Sequence, residues 1–223
     1  MLTLGIDDAG RGPLIGPMIL GGVLWGGEIE RKMKKENIKD SKMLSHPERI
    51  RLGKAIRTNA LDYKIVKSYP EEIDACENLN TLEALKAAEI INLINVGKVR
   101  RESVKVIVDC PSVNTAVWKE TMEGFVKYKG NLRIACEHKA DANYLVVGAA
   151  SILAKVIREE EVAKIRKQFG EIGSGYPSDP QTKKFLAEKG KELKDSGIFR
   201  KSWSTWKKMF PGSEQGQRTL GEF

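Results

Sequence analysis

Residues 2–13 read L-T-L-G-I-D-D-A-G-R-G-P, and this stretch decides the fold. Its leucines and isoleucine alternate with small or polar residues, which predicts a strand that ends at Asp7 and Asp8. The glycines and the proline that follow predict a turn directly after the two acids. The sequence therefore predicts a strand whose end carries two carboxylates beside a turn.

The rest of the chain supplies the elements around this first strand. Four more apolar stretches predict strands at 17–25, 61–69, 104–108 and 132–136. Periodic stretches and capping residues predict helices at 46–58, 80–96, 115–127, 141–168, 182–194 and 202–210, and the charged segment predicts a loop at 28–42. Three early strands followed by strand–helix alternation predict an α/β sheet with helices on both faces, plus a C-terminal helical appendage.

The composition is that of one generous globular domain, or one domain with an appendage. The 223 residues are 41% hydrophobic and 30% charged, so the chain can build a core. The longest uncharged run, residues 12–27, is too short and too rich in glycine and proline for a membrane span, and no signal-peptide pattern is present. Three cysteines without a C-x-x-C pair favour neither disulfides nor zinc and are typical of the reducing cytoplasm.

The net charge of +8 is concentrated near the C-terminus. Residues 183–208 contain nine lysines and arginines against three acids. This excess favours an acidic partner such as nucleic acid, although a solvated helix face explains it equally well. Trp203 and Trp206 either pack this segment down while its lysines meet phosphates, or belong to a purely structural helix.

Carboxylates at strand ends are the first candidates for chemistry. Asp7, Asp8 and Asp109 each follow an apolar stretch, and neighbouring parallel strands would place Asp7 and Asp109 about 4.8 Å apart. Oxygen ligands without sulfur or histidine favour Mg²⁺ or Mn²⁺, and two ions about 3.5–4 Å apart fit that spacing. Asp141 opens the predicted long helix, whose dipole favours an ionised carboxylate there.

Each acid also has an ordinary structural interpretation. Asp141 would serve as an N-cap, Asp109 as a turn former, and Asp7 with Asp8 as a polar strand end. Consecutive residues of an extended strand point to opposite faces. Asp7 and Asp8 can therefore share a metal site only if the chain turns there, as the glycines after them predict.

Residues 10–12, here named the G-R-G turn, have properties that suit ligand recognition. Gly10 and Gly12 lack a Cβ and let a ligand approach the backbone, and Arg11 between them can reach a phosphate. A turn of this kind more often only redirects the chain. Directly after two acids, it would place groups that recognise the substrate against a metal site.

Five sequence blocks are spread along residues 5–180, and R-K-S-W-S-T-W-K-K at 200–208 follows them. The blocks are G-I-D-D-A-G-R-G-P-L-I-G-P-M (5–18), K-D-S-K-M-L-S (39–45), V-I-V-D-C (106–110), E-H-K-A-D-A-N-Y-L-V-V-G-A-A-S-I-L-A-K-V (137–156) and G-S-G-Y-P-S-D-P (173–180). Together they resemble type 2 ribonuclease H, the ribonuclease HII family, in its archaeal form.

The resemblance implies a ribonuclease H-like fold with a mixed five-stranded sheet and an endonuclease that nicks the RNA strand of RNA/DNA hybrids. It also implies cleavage 5′ to a ribonucleotide embedded in duplex DNA, 3′-hydroxyl and 5′-phosphate products, a requirement for Mg²⁺ or Mn²⁺, and action as a monomer. Carried over, the metal-binding catalytic acids are Asp7, Asp8, Asp109 and Asp141. The ribonucleotide would be recognised by Gly10, Arg11 and Gly12, its neighbouring sugar by Tyr176, and a phosphate by Lys42.

One position departs from the family pattern. The second acid of the family is usually glutamate, and here Asp8 stands in its place. Aspartate is one methylene shorter, so its oxygen falls roughly 1–1.5 Å short at an ion that demands near-ideal geometry. A preference for the more permissive Mn²⁺ over Mg²⁺ is the resulting hypothesis.

The C-terminal tail Q-R-T-L-G-E-F at 217–223 resembles the motif that docks on the replication sliding clamp. Gln217, Leu220 and Phe223 would carry the contact, and a plain polar terminus is the alternative. The predicted organisation is thus a catalytic core at 1–180, a basic helical appendage at 181–212 and a polar tail at 213–223.

Two rival functions stay open on the sequence alone. A DNA-cutting enzyme of the same fold, such as an integrase or a junction resolvase, would lack G-R-G after the first acid and the G-S-G-Y loop. The second rival is a non-catalytic nucleic-acid binder, in which aspartate instead of glutamate at position 8 would reflect a loss of activity. Cleavage tests on all-DNA and ribonucleotide-containing duplexes separate these possibilities.

Overall fold

The computed structural model of the protein describes residues 1–36, 38 and 44–212. Its centre is a sheet in the order β3-β2-β1-β4-β5. The strands are β1 (Leu2–Ala9), β2 (Met18–Gly26), β3 (Asp62–Ser68), β4 (Val104–Asp109) and β5 (Leu132–Glu137). The β1–β2 and β2–β3 pairs are antiparallel, whereas the β1–β4 and β4–β5 pairs are parallel. The predicted mixed five-stranded sheet is confirmed.

Helices flank both faces of this sheet. They are α1 (Gly27–Met33), α2 (His46–Asn59), α3 (Pro70–Ala75), α4 (Leu79–Ile94), α5 (Thr115–Phe125), α6 (Ala140–Asn143), α7 (Leu145–Phe169), α8 (Pro180–Lys189) and α9 (Ser204–Met209). Side-chain caps explain where four of them begin, because Ser45, Asn78, Asn114 and Asp179 accept backbone N–H groups of α2, α4, α5 and α8. In the described part of the chain, no helix is long and apolar enough to cross a membrane.

The central strand β1 sends alternate residues to two separate cores. Leu4 and Ile6 pack with residues of α4 and α5 on one face. Gly5 faces α7 on the other, where an added Cβ would lie 2.5 Å from the carbonyl carbon of Val146. The backbones of β1 and α7 are therefore in direct contact, which fixes the acids of β1 relative to α7.

The C-terminal segment packs against the residues that follow β1. Phe199 forms an isolated β-bridge with Ile15. The ring centroid of Trp206 lies 4.9 Å from that of Phe199 and 4.6 Å from that of Phe210. Trp206 therefore packs this segment down, which is compatible with both interpretations given for the tryptophans, and contact of the lysines with phosphates stays a prediction. The division into a core at 1–180 and an appendage at 181–212 stays a prediction.

Two expectations about local structure were wrong. Within the segment predicted as a loop, the described residues form α1 and a 3₁₀ turn, because buried Met33 anchors this polar stretch to the core. The single long helix predicted from Asp141 is two helices, because Tyr144 adopts an extended conformation (φ −124°) between α6 and α7. Asp141 consequently lies in the one-turn helix α6 rather than at the start of the long helix.

Candidate active site

Asp7 and Asp8 both lie within β1 and not after it. β1 pairs with β2 through its last residue, so the chain turns only at Gly10. The two carboxylates consequently lie on opposite faces of the sheet. Asp7 accepts a hydrogen bond from Ser151 of α7, whereas the Asp8 side chain is hydrogen-bonded to Glu83 of α4. The expectation that the chain turns at these acids was wrong, because the ladder with β2 continues past them.

Parallel pairing brings Asp7 and Asp109 to the same end of the sheet. The last registered pair of β1 and β4 is Ile6 opposite Val108. The two acids follow at the same level of adjacent strands, whose separation is about 4.8 Å. Oδ1 of Asp109 accepts a hydrogen bond from the N–H of Ala140 at 2.7 Å, which ties α6 to this end of β4.

The electrostatics of these carboxyls show that several acids lie close together. Burial, followed by the charges of Asp8 and Asp109, raises the pKa of Asp7 well above its usual range, and only 6% of the residue is exposed. Burial and the neighbouring Glu83 raise the pKa of Asp8 to about 8. Such shifts mark a site whose acids repel one another without a cation.

Glu83 is an acid that the sequence did not single out. It is 2% exposed, and its Oε2 accepts a hydrogen bond from Nε of Arg11 at 2.7 Å. Nη2 of the same arginine donates to Oδ1 of Asn80, one turn earlier on α4. Arg11 is thus held against α4, and its contact with a phosphate stays a prediction.

Asp141 lies beside a different cavity. Asp141 lines a cavity of about 660 Å³ together with Thr3, Lys105 and Tyr144. The N–H of Ala140 binds Asp109, so α6 still begins next to the other acids. The structure brings Asp7, Asp8 and Asp109 within electrostatic reach of one another. Asp141 directly follows Ala140, whose N–H binds Asp109.

The G-R-G turn lines a second, smaller cavity with Tyr176. This cavity has a volume of about 240 Å³, and Asp8, Lys155 and Arg158 also line it. The guanidinium of Arg158 lies 5.3 Å from the ring centroid of Tyr176 and donates to the backbone oxygen of Ser174 at 3.1 Å. The turn, the aromatic ring and two cationic side chains therefore surround one space next to Asp8.

Arg200 corrects the interpretation of the basic C-terminal segment. By sequence, Arg200 is one of nine basic residues that could meet an acidic partner. In the structure, Arg200 is fully buried and donates to backbone oxygens of the G-R-G turn. Lys42, Gln217, Leu220 and Phe223 lie outside the described residues.

The donor set suits a hard divalent cation, for which carboxylate oxygens are the preferred ligands. A cation would relieve the repulsion that raises the pKa values of Asp7 and Asp8. Among residues 1–36, 38 and 44–212, no three histidine, cysteine, aspartate or glutamate side chains are arranged to hold one ion. Asp7 and Asp109 fit an ion best, because they share one face and one end of the sheet.

The stability of the metal-free protein should depend on Asp8. A carboxyl with a raised pKa binds its proton more tightly in the folded state, so its stabilising contribution falls as pH rises from its ordinary pKa towards 8. We expect Asp8→Asn to raise the melting temperature in EDTA more at pH 8 than at pH 5, by roughly 2–4 °C for each kcal/mol recovered.

Calorimetric scans at both pH values test this expectation, with Glu120→Gln on the exposed surface of α5 as the matched control. An equal effect of Asp8→Asn on the melting temperature at the two pH values would show that the pKa of Asp8 is not raised in the metal-free protein.

The strand order, the acids at the ends of two parallel central strands and the cavity beside them define the ribonuclease H-like class of nucleases. A family model described as ribonuclease HII matches residues 4–206. The ribonuclease HII of Pyrococcus furiosus is 41% identical, over 98% of this chain and 96% of the relative. The chain belongs to the ribonuclease HII family and is a ribonuclease H.

Solved structures agree with this assignment. The crystal structure of ribonuclease H2 from Pyrococcus horikoshii superimposes with a TM-score of 0.84 at 36% identity, over 94% of this chain and 97% of that one. Ribonuclease HII of Archaeoglobus fulgidus, solved in complex with PCNA, gives a TM-score of 0.79 at 34% identity, over 91% and 95%. The enzyme is therefore an endoribonuclease of RNA/DNA hybrids.

Proposed function

We propose that the enzyme also cuts 5′ to single ribonucleotides embedded in duplex DNA, leaving 3′-hydroxyl and 5′-phosphate ends. The observation that carries this proposal is the 240 Å³ cavity, which joins Asp8 to the G-R-G turn and to Tyr176. A cavity of this size can take one sugar of a bound strand. The cavity could therefore bind a single ribose, and the 2′-hydroxyl of that ribose is the group that distinguishes RNA from DNA.

The four acids would hold divalent cations, Mg²⁺ or Mn²⁺, for the hydrolysis. Asp7 and Asp109 would be ligands of one ion directly. Asp8, whose carboxylate lies on the other face of β1, would hold a second ion rather than share the first, and Asp141 would complete the set. When bound, two such ions would supply an activated water and stabilise the leaving oxygen. The chain itself contributes the placement of these carboxylates on β1, on β4 and on α6, which begins against Asp109.

The remaining residues of the cavity would position the substrate. The backbone of Gly10, Arg11 and Gly12 would hydrogen-bond the ribose 2′-hydroxyl, and the Tyr176 ring would pack on the sugar that follows on the DNA side. The guanidinium of Arg158 lies over that ring and would add positive charge towards a phosphate. Lys42 would bind another phosphate.

A nicking assay tests this function. A duplex with one ribonucleotide, the same duplex in all-DNA form and an RNA/DNA hybrid are incubated with each metal, and the products are sized on a denaturing gel. We expect one cut 5′ to the ribonucleotide and none in all-DNA. Equal cutting of all-DNA would favour the DNA-cutting rival, and binding without cutting in any metal would favour the non-catalytic binder.

The short side chain of Asp8 should show in the choice of metal. Because Mg²⁺ requires near-ideal octahedral geometry, we expect higher activity with Mn²⁺ than with Mg²⁺. Asp8→Glu should bring the ratio of the two rates towards one, whereas Asp195→Glu, an exposed change of the same kind, should leave it unchanged. Equal rates with Mg²⁺ in the wild type and Asp8→Glu would contradict the idea of a strained site.

We propose that the tail binds a sliding clamp through Gln217, Leu220 and Phe223. Two observations support this: the tail resembles the docking motif, and the Archaeoglobus fulgidus relative was solved in complex with PCNA. Titration calorimetry of the full chain against an archaeal PCNA should give binding that Leu220→Ala and Phe223→Ala abolish. The absence of heat for the wild type at tens of micromolar would refute the proposal.

A further inference from the structure

A fully buried arginine contacts the G-R-G turn from the C-terminal segment. Nη1 of Arg200 donates to the backbone oxygen of Arg11 at 2.7 Å, and Nη2 donates to that of Gly10 at 2.6 Å. Nε and Nη2 also donate to the backbone oxygen of Gly16, at 3.0 and 2.9 Å. One side chain thereby binds three carbonyls of the loop between β1 and β2.

This arrangement is costly for a purely structural contact. Burial, and then the nearby charge of Arg158, lowers the pKa of Arg200 to about 10, which leaves it charged at neutral pH. A buried cation carries a large desolvation cost, and well-packed apolar residues of similar volume are often at least as stabilising. Its neutral carbonyl partners point to a role in orienting the backbone.

The geometry of the peptide bond shows which way the N–H groups of the G-R-G turn point. In a trans peptide, the C=O of one residue and the N–H of the next point in opposite directions. Because Arg200 holds the carbonyls of Gly10 and Arg11, the N–H groups of Arg11 and Gly12 point away from it. In the described part of the chain, neither N–H has a protein acceptor. Two adjacent donors are thus presented on the side of the turn opposite Arg200.

Trp203 extends the same contact to the end of the turn. Its Nε1 donates to the backbone oxygen of Gly12 at 3.1 Å, and its ring centroid lies 5.0 Å from the guanidinium of Arg200. Asp74 of α3 holds the intervening residues, because it accepts the N–H groups of Lys201 and Ser202 at 2.6 and 2.9 Å. All three carbonyls of the G-R-G turn are therefore bound from residues 200–203.

We propose that Arg200 and Trp203 are positioning residues that fix the G-R-G turn so that its N–H groups meet the ribose 2′-hydroxyl. The inference rests on the proposed function, since it assigns the turn to ribonucleotide recognition. Arg200 and Trp203 touch the turn and not the substrate. They set how strongly the site distinguishes a ribonucleotide from a deoxyribonucleotide.

The test measures binding specificity rather than turnover. In Ca²⁺, fluorescence anisotropy gives the affinity for a duplex with one ribonucleotide and for its all-DNA counterpart, and their ratio reports recognition of the 2′-hydroxyl. We expect Arg200→Lys to lower this ratio roughly tenfold, because the single nitrogen of lysine cannot reach all the carbonyls that Arg200 binds through its three guanidinium nitrogens. Trp203→Phe, which removes one donor, should lower it about two- to tenfold. Affinity for all-DNA should stay within about twofold.

Trp206→Phe is the matched control, because Trp206 is a buried tryptophan of the same segment that packs on Phe199 and Phe210. It should lower the melting temperature without changing the ratio. A wild-type ratio in Trp203→Phe and in any folded Arg200→Lys, or an equal loss in Trp206→Phe, would overturn the inference. A wild-type ratio of one would instead refute ribonucleotide recognition itself. Should Arg200→Lys fail to fold, Trp203→Phe alone decides.

Discussion

Asp109→Asn is expected to lose nearly all turnover while the fold is retained. The asparagine Oδ1 can still accept the N–H of Ala140, so the contact between β4 and α6 survives. The negative charge that would bind a cation is lost, however. Loss of several kcal/mol of transition-state stabilisation corresponds to roughly 10²–10⁴-fold in rate. The same change removes a charge that raises the pKa of Asp7, so the metal-free protein should not be destabilised.

Single-turnover nicking, thermal melting and circular dichroism should be measured on the same preparation. Asp62→Asn is a matched control, because Asp62 lies on the edge strand β3 and pairs with Lys64 at the surface. An unfolded Asp109→Asn protein would show that this acid is a turn former and no more. A folded protein with wild-type activity would remove Asp109 from the catalytic acids.

Gly10→Ala should damage both the fold and the activity. Gly10 has a φ of +83°, which L-residues rarely adopt, and an added Cβ would lie 2.5 Å from Cδ of Arg158 and 2.9 Å from the backbone oxygen of Pro17. A non-glycine residue in a strained conformation costs roughly 1–3 kcal/mol. The turn should shift away from Arg158, which disturbs the cavity it lines. We expect a lower melting temperature and at least a tenfold loss of kcat/KM.

Gly12→Ala should separate the effect on activity from the effect on stability. A Cβ at Gly12 would meet only the ring of Tyr176, with Cε1 at 3.5 Å and Cδ1 at 4.0 Å, both ordinary contact distances. The melting temperature should therefore stay close to that of the wild type. Activity on a single ribonucleotide should still fall, because the new methyl group projects towards Tyr176, where the substrate sugar would bind. Unchanged kinetics in Gly12→Ala would place the sugar elsewhere.

The strands could be predicted from the sequence because their pattern is local. All five begin or end within two residues of the predicted bounds, since alternating apolar residues face the two cores directly. The acids at the ends of β1 and β4 follow from the same pattern. The faces of Asp7 and Asp8 could not be predicted, because they depend on how far β1 continues its pairing with β2.

The contacts that complete the site join residues distant in sequence. Glu83 lies 72 residues after Arg11, and Arg200 lies 189 residues after it. A partial signal existed for Glu83, because Asn80 and Glu83 are polar residues three apart on a helix that is otherwise mostly apolar. Arg200 carried no such signal. It stands in a basic stretch, and only the structure separates this buried arginine from the exposed lysines.

The long reach of Arg200 has a consequence for how the enzyme is made. The loop after β1 leaves the ribosome early, whereas the arginine that binds its carbonyls emerges about 190 residues later. Domains fold during synthesis from the N-terminal side, and contacts of this sequence separation close last. A nascent polypeptide thus contains Asp7, Asp8, Asp109 and Asp141 before the carbonyls of the G-R-G turn are bound, and the active site is completed only after Arg200 has been synthesised.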